Sequence, residues 1–311
     1  MADLALAVDV GGTKLAAGLV ALDGTLVERA TVPTRNDGGG PTPGQAPGSV
    51  PGAGELLWGD LAALVEGVVA GGGAGDRLVV CGVGCGGPMS AGGDAVSPLN
   101  IEAWRDFPLR SRLAALTGLP TFVDNDAKAL ALGEGWIGAA AGCADFLAMV
   151  VSTGVGGGIV LDGRLLNGRL GNAGHIGHVV VEPSGRACRC GGRGCLEAEA
   201  SGTAISAITG RPPRDAGPEL VERVGTLVGR AIASVVNLLD LPLAVVSGSV
   251  ALGYGDPFFA AAQAEMDLRC RLDFARGARV VPGGLGDAGP LVGAARVGLD
   301  GMGMDRMRMA G

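Results

Sequence analysis

The stretch Leu4-Ala5-Leu6-Ala7-Val8-Asp9-Val10-Gly11-Gly12-Thr13-Lys14 runs directly into Leu15-Ala16-Ala17-Gly18-Leu19-Val20-Ala21-Leu22 and then Asp23-Gly24. Residues 4–10 read as an apolar strand, 11–14 as a turn and 15–22 as a second strand. Asp23-Gly24 is a hairpin signal, and 25–32 reads as a third strand. This strand–turn–strand opening sets the fold type. A dinucleotide-binding start needs a helix after the glycines, and a P-loop needs a lysine preceded by glycine. Neither pattern occurs here. The glycine pair instead lets backbone N–H groups approach the oxygens of an anion such as phosphate. Thr13 adds a hydroxyl, Lys14 a charge, and Asp9 at the strand end suits a Mg²⁺ ion held through water.

The same order returns further along the chain. Residues 145–151 read as an apolar strand, Ser152-Thr153-Gly154-Val155-Gly156-Gly157-Gly158 as a glycine-rich loop, and 159–166 as a hairpin around Asp162-Gly163. Two halves that each open in this way predict a duplicated α/β protein with one nucleotide held in a cleft between them. Strands are expected at 77–83, 121–123, 243–246 and 279–282. Helices are expected at 56–70, 109–117, 127–138, 196–208, 217–239, 256–271 and 288–299. The Gly- and Pro-crowded residues 34–54 read as a surface loop longer than a connection needs.

Asp124-Asn125-Asp126 stands where a short strand runs into a helix. Phosphoryl transfer to a hydroxyl needs a carboxylate that accepts its proton. Asp and Asn before a helix are also the expected N-caps. One of the three is free to cap while another reacts.

His178, Cys188, Cys190 and Cys195 form the densest cluster of metal-ligand types. Three thiolates and one imidazole make a closed tetrahedral set, the pattern of structural zinc rather than catalytic zinc. The glycines between the cysteines let the chain turn around one ion. The other cysteines, Cys81, Cys85, Cys143 and Cys270, lie in apolar or mixed segments and read as small buried hydrophobes of a reducing compartment.

Composition excludes several classes. The 311 residues allow two domains, and 48% apolar residues exclude global disorder. With only 3% aromatics, the core must be built from Ala, Val and Leu. A net charge of −7 disfavours nucleic acid and anionic membranes as partners. No apolar run is long enough to span a membrane, and the N-terminus lacks a signal-peptide pattern. A cytoplasmic chain is expected.

Taken together and in this order, the motifs resemble the ROK family of sugar kinases and repressors, over nearly the whole chain from Asp9 to about Gly293. The resemblance implies two α/β domains of the actin-like ATPase (ribonuclease H-like) type, with ATP and a sugar in the interdomain cleft. The expected domains are 1–124, completed by the helix 288–300, and 125–287, which carries a zinc-binding loop at 175–197. Asp9, Gly11, Gly12, Thr13 and Lys14 look like the first phosphate motif. Ser152, Thr153, Gly154, Gly156 and Gly157 look like the second, and Gly248 with Ser249 resembles the loop near the adenosine. Asp126 occupies the place of the catalytic aspartate. Gly87, Asn100, Asn125 and Glu197 fall where the family contacts sugar, and His178 would both ligate zinc and touch the sugar.

Most family kinases carry Glu-x-Gly-His before the cysteines, whereas this chain has His175-Ile176-Gly177-His178. A histidine cannot accept two sugar hydroxyls as a carboxylate does. The His version resembles kinases of N-acetylmannosamine, which ranks first as substrate. Glucose ranks second, and another amino sugar such as kanosamine third. A sugar-responsive regulator without catalysis is the alternative from another class. It needs a DNA-binding module ahead of the first strand, which begins at residue 4, so catalysis is expected. The lack of a long basic groove favours ATP over polyphosphate as donor. The family pattern also implies a homodimer.

Overall fold

A computed structural model describes residues 2–35, 52–73 and 75–304. Residues 36–51 of the expected Gly/Pro loop lie outside them. The chain divides into two compact units, the first formed by residues 1–136, 167–172 and 287–311, the second by 137–166 and 173–286.

The first unit is built on β1 (Asp3–Val10), β2 (Lys14–Ala21), β3 (Leu26–Pro33), α1 (Ala53–Gly71), β4 (Arg77–Cys85), α2 (Leu109–Thr117), β5 (Thr121–Asn125) and α3 (Asp126–Ile137). Its sheet has the order β3-β2-β1-β4-β5. β1 pairs antiparallel with β2 and parallel with β4. As a central strand it is apolar from Leu4 to Val8 and at Val10, and it is buried at all but its first residue, the acid Asp9 included. Edge strand β3 alternates partly buried and exposed residues, as an edge with one wet face requires.

The two faces of β1 differ in side-chain size. Leu4, Leu6, Val8 and Val10 join Leu57, Leu61, Val65 and Val68 of α1 in one core. Each fully buried leucine there contributes about 2 kcal/mol. Ala5 and Ala7 face the other way, toward Leu291, Ala294, Ala295 and Leu299 of the C-terminal helix at Gly289–Gly301. Small residues on that face bring the helix close. A Cβ at Gly82 would collide with the backbone of Ala294.

The second unit comprises β6 (Phe146–Val151), β7 (Val155–Leu161), β8 (Arg164–Leu165), α4 (Leu196–Ala200), α5 (Gly202–Thr209), α6 (Pro218–Leu239), β9 (Leu243–Ser247), α7 (Ser249–Tyr254), α8 (Asp256–Arg269) and β10 (Arg279–Pro282). The C-terminal helix is therefore α9. The second sheet reads β8-β7-β6-β9-β10, the same topology as the first. β6 pairs antiparallel with β7 and parallel with β9, as β1 does with β2 and β4. The duplication read from the two strand–turn–hairpin openings is thus present in both sheets. α6 covers the second sheet with Val224, Leu227, Val228, Ala231 and Ile232. Its Gly225 and Gly229 admit the backbone of α8 at Phe258 and Ala262.

Three boundaries differ from the sequence reading. The first unit runs through Trp136 rather than ending at residue 124. α3 stays with it because Gly293 of α9 accepts the backbone of Ala129, and the Cβ of Ala129 fits beside Gly84. The helix expected at 196–208 is two helices broken at Ser201, whose Oγ accepts the Ala204 N–H at 3.1 Å and caps α5. Gly156, Gly157 and Gly158 lie within β7 rather than in a loop, so the second turn is only Ser152-Thr153-Gly154.

Candidate active site and metal centre

The first turn is fixed by its own backbone and by the end of β3. The Gly11 N–H donates to Lys14 O at 3.1 Å. Thr34 clamps the turn twice, its hydroxyl donating to Gly11 O at 2.7 Å and its N–H to Thr13 O at 3.0 Å. Thr34 was not singled out from sequence, because a threonine at a strand end carries no local signal. Gly12 must be glycine: a Cβ there would lie 2.6 Å from the Cβ of Asn100. That contact sets Asn100 beside the turn. Gly87 joins the same neighbourhood, its carbonyl accepting the Leu99 N–H at 3.1 Å.

Asp9, one residue before the end of β1, is in register with Gly84 of β4, which is in register with Asp124 of β5. Gly84 lies against two acids. A Cβ there would meet the Cα of Asp126 at 3.5 Å and Oδ1 of Asp9 at 3.6 Å. Burial, then the charge of Asp126, push Asp9 up to about 7 against the opposing pull of Lys14. Buried Cys85, in register with Val10 and Asn125, is pushed up well above the usual thiol range by burial and by both carboxylates.

Asp124, Asn125 and Asp126 have separate tasks. Asn125 Oδ1 accepts the N–H groups of Ala127 at 3.1 Å and Lys128 at 3.4 Å, so Asn125 is the cap. Asp124 pairs at 2.7 Å with Lys128, whose ammonium also donates to Asn167 Oδ1 and Gly171 O. That buried lysine spends all three donors and holds the segment 167–172 to the first unit. Asp126 Oδ1 accepts the Ala127 N–H at 2.8 Å, which fixes its carboxylate at the start of α3.

In the second unit, the Ser152 N–H donates to Gly154 O at 2.9 Å, closing the second turn. The start of α5 holds it from below. Gly202 N–H reaches Ser152 O at 2.7 Å, and Thr203 reaches Thr153 O through its hydroxyl at 2.9 Å. Thr203 was hidden by the reading of one continuous helix. The hydroxyls of Ser152 and Ser249 lie 2.9 Å apart, so the turn and the Gly248-Ser249 segment meet. Gly248 has φ +102° and sits on the backbone of Val151, where no side chain fits.

Glu197 is tied to this turn. Its Oε2 accepts the Val155 N–H at 3.0 Å, and a Cβ at Gly154 would stand 2.9 Å from the same oxygen. The strand glycines serve the histidine segment. A Cβ at Gly157 would meet Ile176 Cγ2 at 3.0 Å and Ala148 O at 3.1 Å. Glycine in β7 therefore lets residues 174–177 lie flat on the strand. The rings of His175 and His178 follow, 6.2 Å apart and 18° from parallel.

His178, Cys188, Cys190 and Cys195 converge, with one ligand atom from each within 4.8 Å of the others. Cys190 and Cys195 sulfurs are 3.7 Å apart, as are Cys188 Sγ and His178 Nδ1. Tetrahedral zinc with Zn–S of ~2.3 Å sets its sulfurs ~3.8 Å apart, so the donor set fits. Burial pushes Cys195 up to about 12 and raises Cys188, whereas the Gly192 N–H lowers Cys190. A dication supplies the charge that would release the buried thiol protons. Two short bridges, Val180 with Cys195 and Ala187 with Arg193, shape the loop around the cluster.

The family model described as "ROK family" matches residues 5–300. An N-acetylmannosamine kinase of Escherichia fergusonii is 36% identical over 267 residues, covering 80% of this chain and 84% of that protein. Among solved structures, a ROK hexokinase from Thermus thermophilus superposes with a TM-score of 0.79 at 33% identity, over 97% of this chain and 100% of that one. A ROK glucokinase from Streptomyces griseus, solved with glucose and AMPPNP, gives 0.77 at 27% identity, over 96% and 99%.

Proposed function

The chain belongs to the ROK family, and from that premise we propose that it is an ATP-dependent kinase acting on the 6-hydroxyl of a hexose or amino sugar, with N-acetylmannosamine its first substrate. The observation that carries the reading is the acid pair Asp9 and Asp126 around Gly84, next to the Gly11–Lys14 turn. The relatives' substrates support it: the 36%-identical protein is an N-acetylmannosamine kinase, and two structural relatives are a hexokinase and a glucokinase.

In this reading Gly11, Gly12, Thr13, Lys14 and Ser152, Thr153, Gly154 hold the phosphates of ATP. Gly248 and Ser249 border the adenosine. A Mg²⁺ ion at Asp9 would neutralise charge on the β- and γ-phosphates. Asp126 accepts the proton of the sugar hydroxyl as that oxygen attacks the γ-phosphorus, and ADP leaves. Gly87, Asn100, Asn125, His175, His178 and Glu197 bind the sugar. Glu197 keeps one carboxylate oxygen for it, the other being spent on Val155. Zinc on His178, Cys188, Cys190 and Cys195 would tie the loop that aims these groups. A cytoplasmic homodimer completes the proposal; among the described residues no helix is long and apolar enough to cross a membrane.

Asp126→Asn keeps the shape and the Ala127 hydrogen bond but removes the base. Turnover with ATP and N-acetylmannosamine should fall at least ~100-fold while sugar affinity by calorimetry stays within about threefold. Near-normal turnover would remove Asp126 from the mechanism.

A further inference from the structure

Glu199 is a buried charged residue of the second unit that the mechanism does not use. It is 1% exposed. Its Oε1 accepts the backbone N–H of Arg186 at 2.6 Å, and its Oε2 takes the Arg186 guanidinium at 3.2 Å and that of Arg223 at 3.0 Å. Burial alone would raise its pKa, but the Arg186 N–H and the two guanidiniums outweigh this and hold it below the usual range.

The residues it grips lead into the metal cluster. Arg186 is two residues before Cys188, and its carbonyl accepts the Gly194 N–H at 2.8 Å, one residue before Cys195. Gly185 O accepts Arg193 at 2.6 Å from across the loop. Both strands of the loop are therefore latched at the point where Glu199 binds. Glu199 rides on α4, a helix of only five residues whose N-cap is Cys195 itself. Two residues earlier on the same helix, Glu197 binds Val155 at the second turn. Residues two apart on a helix point to nearly opposite sides. One side of α4 thus holds the loop and the other holds the turn, while Leu196 and Ala200 bury the helix in the core.

We propose that Glu199 is a positioning residue that couples the metal-binding loop to the Ser152-Thr153-Gly154 turn through α4. The metal part and the sugar part of the test rest on the function proposed above; the coupling itself does not. Loss of the Glu199 charge frees Arg186, loosens the loop, and lets α4 shift, so that Glu197 leaves Val155.

The test compares the wild-type chain with Glu199→Gln and Glu199→Asp. Hydrogen exchange is read on peptides covering 152–158, 183–195 and, as a control, 4–10. Zinc release to a chromophoric chelator and the sugar KM and kcat are read in parallel. In Glu199→Gln, exchange in both 152–158 and 183–195 should quicken about 10-fold or more with 4–10 unchanged. Zinc should leave about 10-fold faster or more, the scale for losing a group behind a metal ligand. Sugar KM should rise with kcat within about threefold, and Glu199→Asp should recover part of each effect. Should Glu199→Gln not fold, Arg186→Ala, which removes only the exposed guanidinium, is read in the same way with smaller shifts. Unchanged exchange at 152–158 beside a loosened 183–195 would overturn the coupling. A wild-type chain that binds no zinc or phosphorylates no sugar would sink the proposed function, leaving the exchange data to decide the coupling alone.

Discussion

Asp9 is costly for stability by its burial, and the proposed function asks the same residue to serve the chemistry. Burial and the neighbouring Asp126 raise it to about 7. In the unfolded chain it titrates near pH ~4. Between those values the folded state holds a proton that the unfolded state has released, so stability falls as pH rises and the loss is complete above about 7. Asp9→Asn should therefore raise the melting temperature at pH 8 by several degrees, while activity falls at least ~100-fold. A melting temperature at or below that of the wild type would contradict the burial account. The wild-type kcat/KM should also fall on the acid side with an apparent pKa near 7, because a protonated Asp9 cannot serve Mg²⁺.

Elements explain what the sequence could and could not reveal. The turn at 11–14, the acids at 124–126 and the cysteines at 188–195 were legible because their signals are local, and His178, ten residues ahead of Cys188, because the chain has only two histidines. The run at 154–158 was not, because glycine in a loop and glycine in a strand look alike in a sequence. In β7 the reason for Gly157 is the segment 174–177 lying on it, a partner about 18 residues away. Glu199 and Lys128 were invisible as functional residues for the same cause: the partners of Glu199 lie 13 and 24 residues away, and Lys128, beyond its local pair with Asp124, reaches partners 39 and 43 residues away. The break at Ser201 was masked because the buried residues Leu196, Ala200 and Ala204 keep helical spacing across it, so the periodicity ran through it. Gly157→Val tests the packing reading. Valine suits a strand, so β7 should form, but its side chain would push Ile176 and with it His175. Sugar KM should rise about 10-fold or more with ATP KM little changed, since displacements near 1 Å at a positioned group carry such costs. An unchanged sugar KM would return Gly157 to the nucleotide.

At the scale of the whole molecule, one topology appears twice, and each copy carries a turn after its central strand, at 11–14 and 152–154. The second copy alone holds the His and Cys cluster, between β8 and α4. Zinc on that cluster is a local tie in this account, not a global one. A strong chelator should expose residues 175–195 to protease and raise the sugar KM, while the first sheet keeps its exchange protection. Collapse of both sheets on chelation would show that the loop carries the fold itself.

In the proposed function this chain moves phosphate from ATP to a sugar, and His175, standing where most family kinases carry a carboxylate, turns its preference toward N-acetylmannosamine. The direct measurement is kcat/KM of the purified chain with Mg²⁺-ATP against N-acetylmannosamine, glucose, N-acetylglucosamine, mannose and kanosamine, with the phosphorylated carbon located by NMR. The account predicts a 6-phosphate product, with N-acetylmannosamine ahead of glucose by about 10-fold or more, the scale on which one polar contact discriminates. Glucose ahead of N-acetylmannosamine would overturn the role given to His175, and no transfer to any of the five sugars would contradict the claim outright.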